Sequence, residues 1–185
     1  EGDAIPTNDT DMVNILNSAG AFYNLFNNGF DYDSFDGNGA IIDSVYQIED
    51  PMNCPNAWWD GEKCSYCVGV TALDVGVHEL THAVTTHTDN LYYQYQSGAL
   101  NEAYSDIFGE TADILQGDPL KQIHRTKGSC ASYGEGSPAN DASKRWLIGE
   151  DIAEEVFEQK GIRDMWRPEC YNSNFHAHSP KVCSN

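Results

Sequence analysis

The segment His78-Glu79-Leu80-Thr81-His82 constrains this chain more than any other. Two histidines four residues apart bring their rings to one point when the segment between them is helical, because positions i and i+4 stand one above the other on a helix face. The flanks agree: Leu73, Val77, Leu80 and Val84 recur at helical spacing, so a helix is expected over 71–85, with Thr71 placed to cap its start. Read alone, the pattern fits two chemistries. His and Glu are ordinary residues of a wet helix face, and the same spacing lets two imidazoles grip one metal ion.

A catalytic zinc takes a third protein ligand and keeps one position open for water, and a carboxylate suits the third place. Glu102 supplies one, in a second expected helix over 100–115 whose apolar positions are Ala103, Ile107, Ile114 and Leu115. Asp106 follows one turn later, placed to receive a hydrogen bond from the non-coordinating N–H of a ligand His. A solvent-facing role for Glu102 and Asp106 fits poorly with apolar neighbours such as Tyr104 and Phe108.

The net charge of −19 repels polyanions, which argues against nucleic-acid and anionic-membrane partners. No apolar run is long enough for a membrane span, and 40% hydrophobic residues is too apolar for a disordered acidic tail. Six cysteines (Cys54, Cys64, Cys67, Cys130, Cys170, Cys183) point to three disulfides and an oxidising, extracellular compartment. The rival reading, a zinc knuckle on Cys64-x-x-Cys67, lacks a second close ligand pair. Asn8-Asp9-Thr10 is a glycosylation sequon. The sequence opens at Glu1 without a leader, so a leader or pro-region is expected to have been removed or to lie outside it.

Elsewhere, Ile15, Ala19, Phe22 and Phe26 predict a helix over 11–28, stopped by Asn27-Asn28-Gly29. Ile42, Tyr46 and Ile48 alternate along an expected strand over 40–48, in an antiparallel sheet. Residues 49–67 read as an irregular, disulfide-stapled segment with a short extended piece at 56–59. Residues 127–143 read as a loop, 148–159 as a helix with a solvated acidic face, and Cys170 with Cys183 as a pin for the tail.

Two long strings carry a family resemblance: Leu73-Asp74-Val75-Gly76-Val77-His78-Glu79-Leu80-Thr81-His82-Ala83-Val84-Thr85, and Ser97-Gly98-Ala99-Leu100-Asn101-Glu102-Ala103-Tyr104-Ser105-Asp106-Ile107-Phe108-Gly109. Weaker matches stand at Asn56-Ala57-Trp58-Trp59, Ile148-Gly149-Glu150-Asp151 and Ile162-Arg163-Asp164-Met165. With these the chain resembles the thermolysin-like zinc metallopeptidases over roughly 11–168.

The resemblance implies an α+β fold, with a small strand-rich N-terminal part (about 1–69), a helical C-terminal part (70–185) and the zinc helix between them. It implies that His78, His82 and Glu102 hold zinc and that Glu79 is the general base. It further implies that Tyr93 stabilises the oxyanion, that Asn56 and Ala57 bind the substrate backbone, and that Arg163 contacts a substrate carbonyl. Asp74, Asp113 and Glu150 match acidic calcium positions, but Arg145 and Leu147 stand where the family places further carboxylates. One calcium or none is the expectation, with Arg145 available to pair with Asp113 and Glu150. The family's distal catalytic His, in an Asn-Gly-Gly-Val-His type segment, has no match in these 185 residues; His176 and His178 are the candidates to replace it.

The expected function is that of a secreted zinc endopeptidase. Its expected partners are a peptide or protein substrate and a companion chain or inhibitory pro-segment. The alternative is a zinc-binding structural or interaction module of peptidase descent with little turnover.

Overall fold

The side chain of Asp9 accepts a hydrogen bond from the Met12 amide and starts α1 (Thr10–Phe30). Ile15, Phe22 and Phe26 are buried along one face, as their spacing predicts, with Ala19 packed beside them. The helix runs past the expected stop. Asp31, in the left-handed region at φ 54°, closes it by bonding its N–H back to Asn27 O. The computed structural model describes residues 9–125, 143–157 and 161–168. The expectations for Asn8, Cys130, Cys170, Cys183, His176, His178 and most of 127–143 lie outside the described residues.

β1 (Ser44–Ile48), β2 (Ala57–Trp59) and β3 (Cys64–Cys67) form a sheet in the order β1-β3-β2. β2 and β3 are antiparallel, with Ala57 opposite Tyr66 and Trp59 opposite Cys64. β1 runs parallel to β3, so the sheet is mixed and the expectation of an antiparallel one is corrected. The cause is the crossover through 49–63, which carries the chain to the far edge as β2 before β3 enters between the two. β3 is buried at all four positions and lies within the segment expected to be irregular. A strand covered on both faces shows no alternation, so period-two reading passes over it.

One of the expected disulfides is present among the described residues, Cys54–Cys67. Cys64 is a buried free thiol, which corrects its assignment to a bridge. With Cys67 bonded to Cys54, no zinc knuckle forms on this pair.

α2 (Leu73–His87) is the central element, packed between α1, α3 and β2 and buried on nearly every side from Asp74 to Thr81. Thr71 does not cap it. Its hydroxyl donates to Asp11 at 2.7 Å, tying α2 to the start of α1, and Ala72 takes the N-cap position without a side-chain bond. α3 (Tyr95–Leu115) begins at Tyr95 rather than near 100, and its buried face is the reverse of the expected one. Leu100, Ile107 and Leu115 are exposed by 44%, 43% and 66%, whereas Asn101, Ser105, Asp106, Gly109, Glu110 and Asp113 are buried. The buried histidines of α2 need polar partners, and the polar face of α3 supplies them.

β4 (Leu147–Ile148) pairs antiparallel with β5 (Arg163–Asp164), with α4 (Glu154–Phe157) between them. The helix expected over 148–159 is therefore interrupted. Gly149 takes φ 72°, which breaks a right-handed helix at its second residue, and 158–160 lie outside the described residues.

Gly109 sets the approach of α3 to α2: a Cβ there would lie 2.5 Å from the backbone oxygen of Asp74, and backbone cannot move aside as a side chain can. Gly109→Ala is expected to destabilise the fold by about 1–3 kcal/mol through overpacking. Urea denaturation of the variant beside the wild type reads this loss, and an unchanged midpoint would show that the two helices can separate freely.

Candidate metal centre

Two turns of α2 and one turn of α3 make the site. The Nε2 atoms of His78 and His82 lie 3.0 Å apart, and the two carboxylate oxygens of Glu102 lie 3.4 Å from them, one each. Tetrahedral zinc with bonds of about 2.0–2.1 Å holds its ligand atoms about 3.3 Å apart. The three side chains thus stand at the corners such an ion needs.

The far side of each ring settles its tautomer. His82 Nδ1 is 2.7 Å from Asn101 Oδ1, and the amide's other end donates to Leu91 O, so the oxygen accepts and Nδ1 carries the hydrogen. Ser105 Oγ sits 3.1 Å from the same nitrogen. His78 Nδ1 lies 2.8 Å from Asp106 Oδ1, which also only accepts. Both Nε2 atoms are then left with lone pairs aimed at one point beside a carboxylate, an arrangement that calls for a cation between them. Without a metal a proton answers that call: burial opposes charge on His78, but Asp106 and Glu102 carry its pKa up to about 9. For Glu102, burial is likewise outweighed, and the histidines hold its carboxyl well below the usual range.

Asp106 is shared, since Arg163 grips it with Nε at 2.8 Å and Nη2 at 2.6 Å. This bidentate pair locks β5 to α3 beneath His78. Tyr93 donates its hydroxyl to Glu102 Oε1.

Glu79 is buried, which raises its pKa, and its Oε2 accepts a hydrogen bond from the Trp59 amide at 3.1 Å. That bond fixes β2 along the site. Asn56 O and Asp60 N turn toward β3, so the alternate residues Ala57 and Trp59 turn their backbone groups outward. A cleft of about 700 Å³ is lined by Asn56, Ala57, Glu79, Tyr93, Glu102 and Arg163, among others. All the site residues anticipated from the sequence around zinc therefore meet in one place. Asn101, Ser105 and the Trp59 amide were not anticipated; Asn101 and Ser105, four apart on one face of α3 and flanking Glu102, carried a signal that the apolar pattern obscured.

Asp74, Asp113 and Glu150 also meet, together with Glu110, with ligand oxygens within 4.8 Å of one another. Arg145 does not reach them; its guanidinium lies over the Trp146 ring, 5.7 Å from the centroid. The cation among them is Lys121, only 1% exposed. Its ammonium contacts Asp113, Glu150 Oε1 at 3.0 Å and Asp151 Oδ2 at 2.9 Å. Asp74 accepts from the amides of Val75 and Gly149, and Glu110 from that of Trp146. Burial pushes the Glu110 carboxyl up to about 8. Calcium takes six to eight oxygens at about 2.3–2.6 Å. Glu110 Oε2 and both oxygens of Glu150 are buried without a hydrogen-bond partner among the described residues, so the four carboxylates form a group that could hold a cation, and Lys121 is the cation beside them.

Two family models match the chain: thermolysin metallopeptidase, catalytic domain, over residues 2–86, and thermolysin metallopeptidase, alpha-helical domain, over 89–184. Bacillolysin of Brevibacillus brevis is 35% identical over 162 residues, 83% of this chain and 25% of the relative. Thermolysin of Bacillus caldolyticus is 33% identical over 166 residues, covering 85% and 26%. The chain spans about a quarter of the length of these relatives. Among solved structures, the precursor of protealysin, a metalloproteinase from Serratia proteamaculans, superposes with a TM-score of 0.64 at 26% identity, over 88% of this chain and 46% of that one.

Proposed function

This chain belongs to the thermolysin family of metallopeptidases, and from that premise we propose that it carries the zinc centre of a secreted endopeptidase. The observation that carries the reading is the convergence of the two Nε2 lone pairs and Glu102 on one point in an open cleft that also holds Glu79. His78, His82 and Glu102 would hold zinc, the one cofactor in this reading. When bound, zinc supplies Lewis acidity, polarising a peptide carbonyl and bringing the pKa of a coordinated water toward about 7.

The other residues then do ordinary acid–base and positioning work. Glu79 takes a proton from the attacking water and delivers it to the leaving amine; burial favours the protonated form it passes through. The outward backbone of Ala57, with Asn56 beside it, pairs with an extended substrate as an added strand. Tyr93 would stabilise the oxyanion and Arg163 would contact a substrate carbonyl, a reading supported by the presence of both in the lining of the cleft. Asp106 holds His78 and Arg163 in register with each other. We read the described parts of 1–69 and 70–185 as one unit around α2, a reading supported by the bond between the Trp59 amide and Glu79 across that boundary.

The partners in this reading are peptide or protein substrates, and a pro-segment or companion chain at the cleft. Localisation outside the cell is in keeping with relatives such as the extracellular elastase of Staphylococcus epidermidis, 42% identical over 141 residues, 64% of this chain and 27% of the relative. The test is hydrolysis of peptides bearing a hydrophobic residue after the scissile bond, by the metal-free chain before and after one equivalent of zinc. Cleavage that appears with zinc supports the reading. Stoichiometric zinc without cleavage would contradict it and leave a metal-binding module.

A further inference from the structure

We infer that Lys121 is a built-in counter-ion for the second carboxylate cluster, making the stability of this fold independent of calcium. The cluster joins three elements that are distant in sequence: Asp74 in the first turn of α2, Glu110 and Asp113 near the end of α3, and Glu150 in the turn after β4. Four buried carboxylates repel one another, and an arrangement of this kind persists only around positive charge or protons. Lys121 enters from the turn that follows α3, with its side chain 1% exposed.

An ammonium has three hydrogens, and three carboxylates surround this one. Asp113 and Asp151 accept from Nζ, and Glu150 Oε1 stands 3.0 Å away. The Glu150 contact is an ion pair and not a hydrogen bond, so Lys121 meets this carboxylate by charge. Leu147, buried in β4 beside this cluster, offers no oxygen from its side chain. A dication sharing Asp113 and Glu150 would sit against the ammonium, so the two cations compete for one cage. The tethered one has the advantage that no free ion must be captured on folding. Lys121 also links the end of α3 to the turn after β4, and through that turn to α2, where Gly149 N donates to Asp74 Oδ2. The helix bearing His78 and His82 is thus steadied from behind without an external metal.

The experiment is thermal unfolding of the zinc-loaded chain in calcium-free buffer, titrated with calcium chloride, with magnesium chloride as the control for screening of its net negative charge. For the wild type, the midpoint is expected to move by no more than about 1 °C beyond the magnesium control. A calcium-specific rise of several degrees would overturn the inference. Lys121→Met removes the ammonium while keeping a long apolar stem. Its midpoint is expected to fall by about 10 °C without calcium and to recover in part with it. A Lys121→Met midpoint equal to that of the wild type would also overturn the inference, since the ammonium would then contribute nothing. Should Lys121→Met fail to fold in either buffer, the wild-type titration still decides. Lys121→Arg, which keeps the charge, is expected to remain insensitive to calcium.

Discussion

On the proposed function, changing Glu79 to Gln is expected to lower peptide hydrolysis by about 10²–10⁴-fold while zinc binding is kept. The amide has the shape of the carboxylate, and its oxygen can still accept the Trp59 N–H that now binds Glu79 Oε2 at 3.1 Å. The edge strand β2 therefore stays in place, and so do His78, His82 and Glu102, none of which bonds to Glu79. What the amide cannot do is accept a proton at neutral pH. Steady-state rates and metal analysis on the same samples separate the two effects. A Glu79→Gln variant that retains zinc and turns over within about tenfold of the wild type would mean that another group is the base. Joint loss of zinc and activity would mean that Glu79 belongs to the metal's own support.

His82→Ala is expected to remove the metal and, with it, the stabilisation that zinc gives the fold. A ligand at about 1,000 times its Kd stabilises the native state by about 4.1 kcal/mol. For a chain of this size that is a rise of about 8–16 °C in the melting midpoint. The wild type should show such a rise on zinc addition, and the variant none. His82 is well suited to the test because, among the described residues, its far side is held by Asn101 and Ser105, so its loss leaves the Asp106–Arg163 pair beneath His78 intact. A zinc-dependent rise that survives in the variant would place the metal elsewhere.

The meeting of His78, His82 and Glu102 was legible in the sequence because it is local. His78 and His82 share one helix face, Glu102 and Asp106 share another, and in each case four-residue spacing sets the geometry before any tertiary contact is made. α1 was legible for the same reason, with a clear apolar stripe through Ile15, Phe22 and Phe26.

The face of α3 was misread because the usual rule fails beside a functional site. Its buried side is small and polar, to meet the histidines and to let α2 come within reach of Gly109, so Leu100 and Ile107 turn outward. β3 escaped notice because it is covered on both faces. The parallel pairing of β1 with β3 depends on a crossover, about which residue alternation carries no information. Lys121 gave no signal at all: it is a single lysine in a turn, and the role inferred for it arises only where Asp113, Glu150 and Asp151 converge on its ammonium.

X-ray absorption at the zinc edge, on the chain loaded with one equivalent of zinc, tests the metal centre most directly. The expected first shell is two imidazole nitrogens at about 2.0–2.1 Å with oxygen ligands at about 2.0–2.2 Å and no sulfur. The imidazole signature should disappear in His78→Ala. Sulfur at about 2.3 Å would contradict the centre described here, because the ion would then be held by cysteine and not by His78, His82 and Glu102.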